Sequence, residues 1–116
     1  MQALTLRSIE AQSHPQTKAM FWHLFGSSRG ALNRTRIISQ LRDKPSNQHQ
    51  LSKDLELEYK GIGHHLDVLE KNNLIEKFGN KYASTYFITP LFEEAANVFD
   101  EIITKLQKTG DNKWSR

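Results

Sequence analysis

The 116-residue sequence contains no cysteine. Disulfides, thiolate zinc sites, cysteine nucleophiles and thiol-based metal or redox sensing are thereby excluded. Long apolar runs are also missing. Nothing approaches the roughly 20 residues that span a bilayer, and the first residues, MQALTLRSIEAQSHPQ, lack the apolar centre of a secretion signal. A cytoplasmic protein without a membrane partner is expected. Apolar residues make up 37% of the chain, below the roughly 45–50% of average globular composition, which points to a thin core or to a core completed by a second copy. There is no phosphate-binding glycine loop, no carboxylate pair in a cleft pattern and no nucleophile motif. An enzyme is the least supported class, and no cofactor is expected.

What is there is a small, mildly basic chain, long enough for one domain. Sixteen Lys/Arg face thirteen Asp/Glu, net +3. The excess is uneven: residues 1–60 hold nine basic and five acidic groups, residues 61–82 three and three, and residues 83–116 four and five. A small net charge does not by itself name a polyanion partner.

Residues 1–16 are polar with scattered Leu and Ile and read as a flexible N-terminal arm, and residues 109–116 as a polar tail. Between them, residues 18–25 (KAMFWHLF) form a short apolar helix stopped by Gly26, with Ser27 and Ser28 able to cap the next helix. Residues 29–43 predict that second helix, with Ile37, Ile38 and Leu41 on one face and Pro45 beyond its end. Asn47 starts a third helix, with Gln50 three residues later completing a capping box.

Residues 58–72 (EYKGIGHHLDVLEKN) carry the most information. On a helical wheel Ile62, Leu66 and Leu69 make a narrow apolar stripe, and Lys60, His64, Asp67 and Lys71 share the opposite side. Residues 74–78 and 82–89 are rich in β-branched and aromatic types. The Gly79-Asn80 pair between them suits a tight hairpin turn with positive φ at Gly79, and Pro90 ends the second strand. Residues 91–106 predict one amphipathic helix.

Three helices leading into a β-hairpin give a mainly α fold with a small β-hairpin. This is the layout of a winged helix-turn-helix, whose turn fits the short link Glu56-Leu57-Glu58. The organisation expected is an arm (1–16), a winged helix-turn-helix (17–90), a C-terminal dimerisation helix (91–108) and a tail (109–116). Residues 34–90, with their leucine-rich second helix, the Leu-Glu-Tyr-Lys entry at 57–60, His64-His65-Leu66, Leu69-Glu70-Lys71-Asn72 and the glycine-turn wing, resemble the ArsR-like winged-helix transcriptional regulators common in archaea. The resemblance implies sequence-specific binding of double-stranded DNA as a homodimer, with residues 59–72 as recognition helix in the major groove and residues 79–82 as wing. The chain departs from such families at Gly61 and Gly63, where Thr or Ser is common, and at Asn73, where glycine is.

On this reading Tyr59, Lys60, Gly63, His64, Asp67 and Lys71 face DNA from the helix, and Asn80, Lys81 and Tyr82 from the wing. Lysine donates to guanine or phosphate, Asp accepts from cytosine, and a glycine lets backbone approach closely. Arg29, Arg34 and Arg36 are placed as weaker backbone contacts. On pattern alone the same residues are a solvated helix face and ordinary turn chemistry. His65, beside the apolar stripe, reads as an orienting residue. A metal site is not expected: adjacent helical histidines diverge by about 100°, whereas ligand pairs prefer spacings of three or four. Met20, Phe21, Leu24, Phe25, Phe92, Ala95, Phe99, Ile102, Ile103 and Leu106 are assigned to a dimer interface, because together they exceed what one small protomer should expose. A protein–protein winged-helix module and a nonspecific, chromatin-like DNA coat are the competing readings.

Overall fold

The computed structural model describes residues 15–80 and 83–108, in the order α1 (Pro15–Trp22), a π-helical turn (His23–Ser27), α2 (Ala31–Asp43), β1 (Ser46–Asn47), α3 (Gln48–Leu55), α4 (Tyr59–Lys71), β2 (Ile75–Phe78), β3 (Thr85–Ile88), α5 (Pro90–Glu94) and α6 (Ala96–Lys108). Contacts divide the chain into two units, residues 33–92 and residues 1–32 with 93–116. No helix among the described residues is long and apolar enough to cross a membrane.

In the unit formed by residues 33–92, each helix end has an identifiable cause. Asn47 opens α3 with both halves of the capping box: its Oδ1 accepts from Gln50 N–H at 2.7 Å, and Gln50 Oε1 accepts from Asn47 N–H at 2.8 Å. Helix α3 closes on Glu56 in the left-handed region (φ 57°), and the N–H groups of Glu56 and Leu57 both return to Ser52 O. The Ser52 hydroxyl donates to Leu57 O at 2.6 Å and Arg36 Nη2 to Leu55 O at 2.8 Å. The three-residue turn between α3 and α4 is therefore held from three sides.

Helix α4 ends in a Schellman arrangement. Leu74 N–H bonds Leu69 O at 3.1 Å and Asn73 N–H bonds Glu70 O at 2.9 Å, with Asn73 at φ 62°. Asn is one of the few side chains that enter this region readily, which explains how this chain does without glycine there. The stripe of Ile62, Leu66 and Leu69 is buried as its spacing predicts, together with Ile37, Ile38, Leu41, Leu51, Leu74 and Ile75.

The sheet has three strands in the order β1-β3-β2, antiparallel throughout. Strand β1 escaped the sequence reading because a two-residue bridge (Ser46↔Tyr86, Asn47↔Thr85) has no local periodicity. The hairpin also differs from expectation. Gly79 does take positive φ (116°), but Phe78 pairs with Thr85, so the link spans residues 79–84 and is longer than a two-residue turn. Asn80 organises it: its Oδ1 accepts from Ala83 N–H at 3.0 Å and its backbone O from the Ser84 hydroxyl at 2.7 Å. Pro90 opens a helix rather than only ending a strand, with Thr89 capping it through Phe92 N–H at 3.2 Å.

In the other unit, the described residues are already helical from Pro15, ahead of the start expected at Lys18, and α1 runs into the π-helical turn. Phe25 packs edge-to-face on Phe21 (centroids 5.5 Å apart) and on Phe99 of α6 (4.9 Å). The single C-terminal helix expected over 91–106 is two helices, broken at Ala95. The dimer assignment needs a second correction. Phe21, Leu24, Phe25, Phe92, Ala95, Phe99 and Ile102 are buried within one chain, and only Met20, Ile103 and Leu106 of that set remain half-buried.

Candidate nucleic-acid interface

One open cleft gathers most of the polar side chains that the sequence places on the outer face of α4. Its lining comes from three places: Asn47, Gln48 and His49 at the start of α3; Tyr59, Lys60, Gly63, His64 and Asp67 of α4; and Lys77, Gly79, Ser84 and Tyr86 of the hairpin. The helix presents these groups because its apolar stripe is seated inward. The hairpin reaches them because β2 and β3 alternate: Ile75, Lys77 and Tyr86, the last two paired across the strands, share one face, on which Ile75 and Tyr86 are buried and Lys77 lines the cleft.

Tyr59 and Lys60 are exposed at the N-terminal end of α4, and His64 and Asp67 one and two turns on. Tyr86 forms the floor, 6% exposed. Burial raises its phenol pKa, and the carboxylates of Glu70 and Asp67 and the Tyr59 phenol add to the shift. The group therefore stays protonated, able to donate, at neutral pH. Two lysines and one carboxylate line the cleft with the two histidines, so its charge is mixed and its surface is shaped by donors and acceptors of both kinds.

Other predicted site residues lie elsewhere. Lys71 is exposed in the last turn of α4, where a cation suits the helix dipole, and does not line the cleft. Asn80 is exposed and engaged in the turn described above, and Lys81 and Tyr82 lie outside the described residues. Gly63 abuts a protein group: a Cβ there would come within 2.6 Å of Gln48 Nε2. Arg29 is exposed and belongs to the other unit. Arg36 reaches Leu55 O, and Arg34 is 5% exposed with Nη1 3.5 Å from His65 Nδ1. Arg34 is thus directed into the protein rather than toward a phosphate.

Because arginine only donates, the acceptor in this contact is His65 Nδ1. Burial lowers the His65 pKa, and the positive charge of Arg34 and then that of His64 lower it further. Burial also lowers that of Arg34. His65 is half-buried, and its contact with Arg34 links α4 to α2.

Sequence reasoning missed Gln48, His49, Lys77, Ser84 and Tyr86. A signal existed for two of them: once Phe78 is assigned outward, alternation sends Lys77 to the other side, and the hairpin register brings Tyr86 opposite it.

Residues 33–77 match the model of a family described as bacterial regulatory protein, arsR family. The match does not distinguish the archaeal type. Among solved structures, the chain is similar to HlyU from Vibrio cholerae N16961, with 18% identity and a TM-score of 0.53 over 83% of this chain and 96% of that one. It is also similar to a MarR family transcription regulator (18% identity, TM-score 0.57, 91% and 75% covered) and to a MarR family protein from Bacillus stearothermophilus (17%, 0.53, 95% and 74%). At these identities the likeness is one of fold, the winged helix. No curated protein matches the sequence.

Proposed function

We propose, from the arsR-type match over residues 33–77 as premise, that the chain is a homodimeric transcriptional regulator that binds double-stranded DNA sequence-specifically in the cytoplasm. Helix α4 enters the major groove, and the hairpin lies on the flanking backbone or minor groove. The observation that carries the reading is the convergence of Tyr59, Lys60, His64 and Asp67 with Lys77, Gly79 and Ser84 along one open cleft. Lys60 and His64 donate to base edges or phosphate, and Asp67 accepts from a cytosine amino group. Lys81 and Tyr82 extend the wing contact, and Lys71 the helix contact.

Dimerisation is supported by apolar surface left on the unit of α1 and α6: half-buried Met20, Ile103 and Leu106, and Trp22 at 42% exposure. A two-fold pair presents recognition helices roughly 34–36 Å apart, matching successive major grooves.

Selection from a random duplex pool followed by titration of the selected site in rising salt tests the reading. With Lys60 and Lys77 of each protomer on phosphates, about four in a dimer, the slope of log K against log salt is about −4. A flat dependence, or equal affinity for unrelated duplexes, defeats it. The double substitution Lys60→Ala with His64→Ala must weaken binding to the selected site by at least tenfold, about 1.4 kcal/mol.

A further inference from the structure

The two glycines of α4 lie two residues apart and have opposite surroundings. A Cβ at Gly61 would meet nothing within 4 Å, whereas at Gly63 it would lie 2.6 Å from Gln48 Nε2. That amide is already committed, donating to Tyr59 O at 3.0 Å across the helix pair. The backbone behind it is equally fixed. Gln48 follows Asn47, which is capped to Gln50 and paired with Thr85 of β3.

We propose that Gln48 is the strut that positions the recognition helix against the hairpin, and that residue 63 is glycine because the Gln48 amide occupies the space of its side chain. The chain of connections is short: β3 holds Asn47, Asn47 holds Gln48, and Gln48 holds the first turn of α4 through Tyr59 O. Helix and wing are thereby kept at one separation. Gln48 touches the protein here, so it acts on DNA through Tyr59, Lys60 and His64 rather than by reading a base itself. A methyl group at 63 would not move the helix backbone. It would swing out the free end of the glutamine and release the strut.

The inference rests on the DNA-binding reading for its effect on affinity but not for the strut itself, and two measurements on the full chain separate them. The first is the thermal midpoint of Gly61→Ala, Gly63→Ala, Gln48→Ala and the Gly63→Ala/Gln48→Ala pair without DNA. Alanine in place of an unencumbered helical glycine raises the midpoint by about 3–6 °C. Gly61→Ala shows this full rise and Gly63→Ala less than half of it. When Gln48 is already Ala, Gly63→Ala recovers the full rise. Equal rises for the two glycines in the parent background overturn the strut.

The second measurement is binding to the duplex selected by the parent. Gly63→Ala and Gln48→Ala each weaken it about three- to tenfold, the pair no further than Gln48→Ala alone, and Gly61→Ala by less than about twofold. The salt slope and the selected base preference stay as in the parent, because no phosphate or base contact is lost. Additive losses, or a preference changed at one base position in Gln48→Ala, overturn the positioning role. If the parent binds no duplex, the functional reading falls and the positioning role with it, while the strut still stands or falls on the midpoints.

Discussion

The turn that joins α3 to α4 places a glutamate in a conformation that favours glycine, and replacing it should stabilise the protein. Glu56 has φ 57° and ψ 46°, where a residue with a Cβ costs roughly 1–2 kcal/mol. Glycine removes that cost but gives back roughly 0.4–1 kcal/mol through the freedom of the unfolded chain. The exposed carboxylate also sits at a helix C-terminus, where a negative charge is unfavourable by a few tenths of a kcal/mol, about 0.3 at the least. The net gain for Glu56→Gly lies within about 0.3–1.9 kcal/mol and centres on about 1 kcal/mol, or roughly 3–6 °C in thermal midpoint for a domain of this size. Nothing else in the turn depends on the Glu56 side chain: the bonds to Ser52 O are made by backbone N–H groups, and those of Ser52 and Arg36 end on backbone carbonyls. Duplex affinity should stay within about twofold, and Asn73→Gly, at φ 62°, should gain less because Asn tolerates the region. Circular dichroism melts of Glu56→Gly, Glu56→Asn and Asn73→Gly beside the parent check the ranking. A midpoint for Glu56→Gly at or below the parent refutes the reasoning.

Asn47→Ala removes the half of the capping box in which Oδ1 accepts from Gln50 N–H, leaving the backbone N–H of residue 47 on Gln50 Oε1, and costs about 1 kcal/mol, read from urea midpoints, whereas Asn47→Asp retains most of it; equal losses in the two variants would discredit the cap. His65 has its pKa lowered by burial first and then by Arg34 and His64. The unfolded chain therefore binds a proton that the folded chain refuses, and stability is fully present above the unfolded value of about 6.5 and declines as pH falls below it. In His65→Gln the decline in midpoint between pH 7.5 and 5.5 is shallower than in the parent, and parallel curves would contradict the assigned environment. Phe25, 0% exposed and edge-to-face on two other rings, should cost about 3–5 kcal/mol as Phe25→Ala, with a loss below about 1 kcal/mol counting against that packing.

Much of residues 33–92 was legible because its signals are local. Asn47 with Gln50, the stripe of Ile62, Leu66 and Leu69, and the positive φ at Gly79 each depend on neighbours within a turn or two. Features that depend on distant pairing were not legible. The bridge of Ser46 to Tyr86 is one, and the extra length of the hairpin, fixed by Phe78 opposite Thr85, is another. The break at Ala95 was hidden because Phe92, Ala95, Ala96 and Phe99 keep helical spacing across it. The burial of Phe21, Leu24, Phe25, Phe92, Ala95, Phe99 and Ile102 within one chain was not legible for a related reason: an apolar stripe shows that a face is covered, not which surface covers it. For Phe25 and Phe99 the cover is one another.

The same distinction applies to charge. The basic excess of the first 60 residues invites assignment to DNA, yet three of its arginines have work inside residues 33–92. Arg34 meets His65, Arg36 the end of α3, and Arg42 lies over the Phe92 ring at 5.7 Å from its centroid. Each of these contacts uses the planar donor fork or the aromatic face that guanidinium prefers and lysine does not match. The cations that line the cleft are lysines, Lys60 and Lys77, with Asp67 beside them. A surface so lightly charged has little nonspecific hold on a phosphate backbone, and a carboxylate within it penalises every placement in which no base amino group meets it. On the proposed function, discrimination depends on holding helix and hairpin at one spacing, while Arg34, Arg36 and Gln48 donate within the protein, to His65 Nδ1, Leu55 O and Tyr59 O.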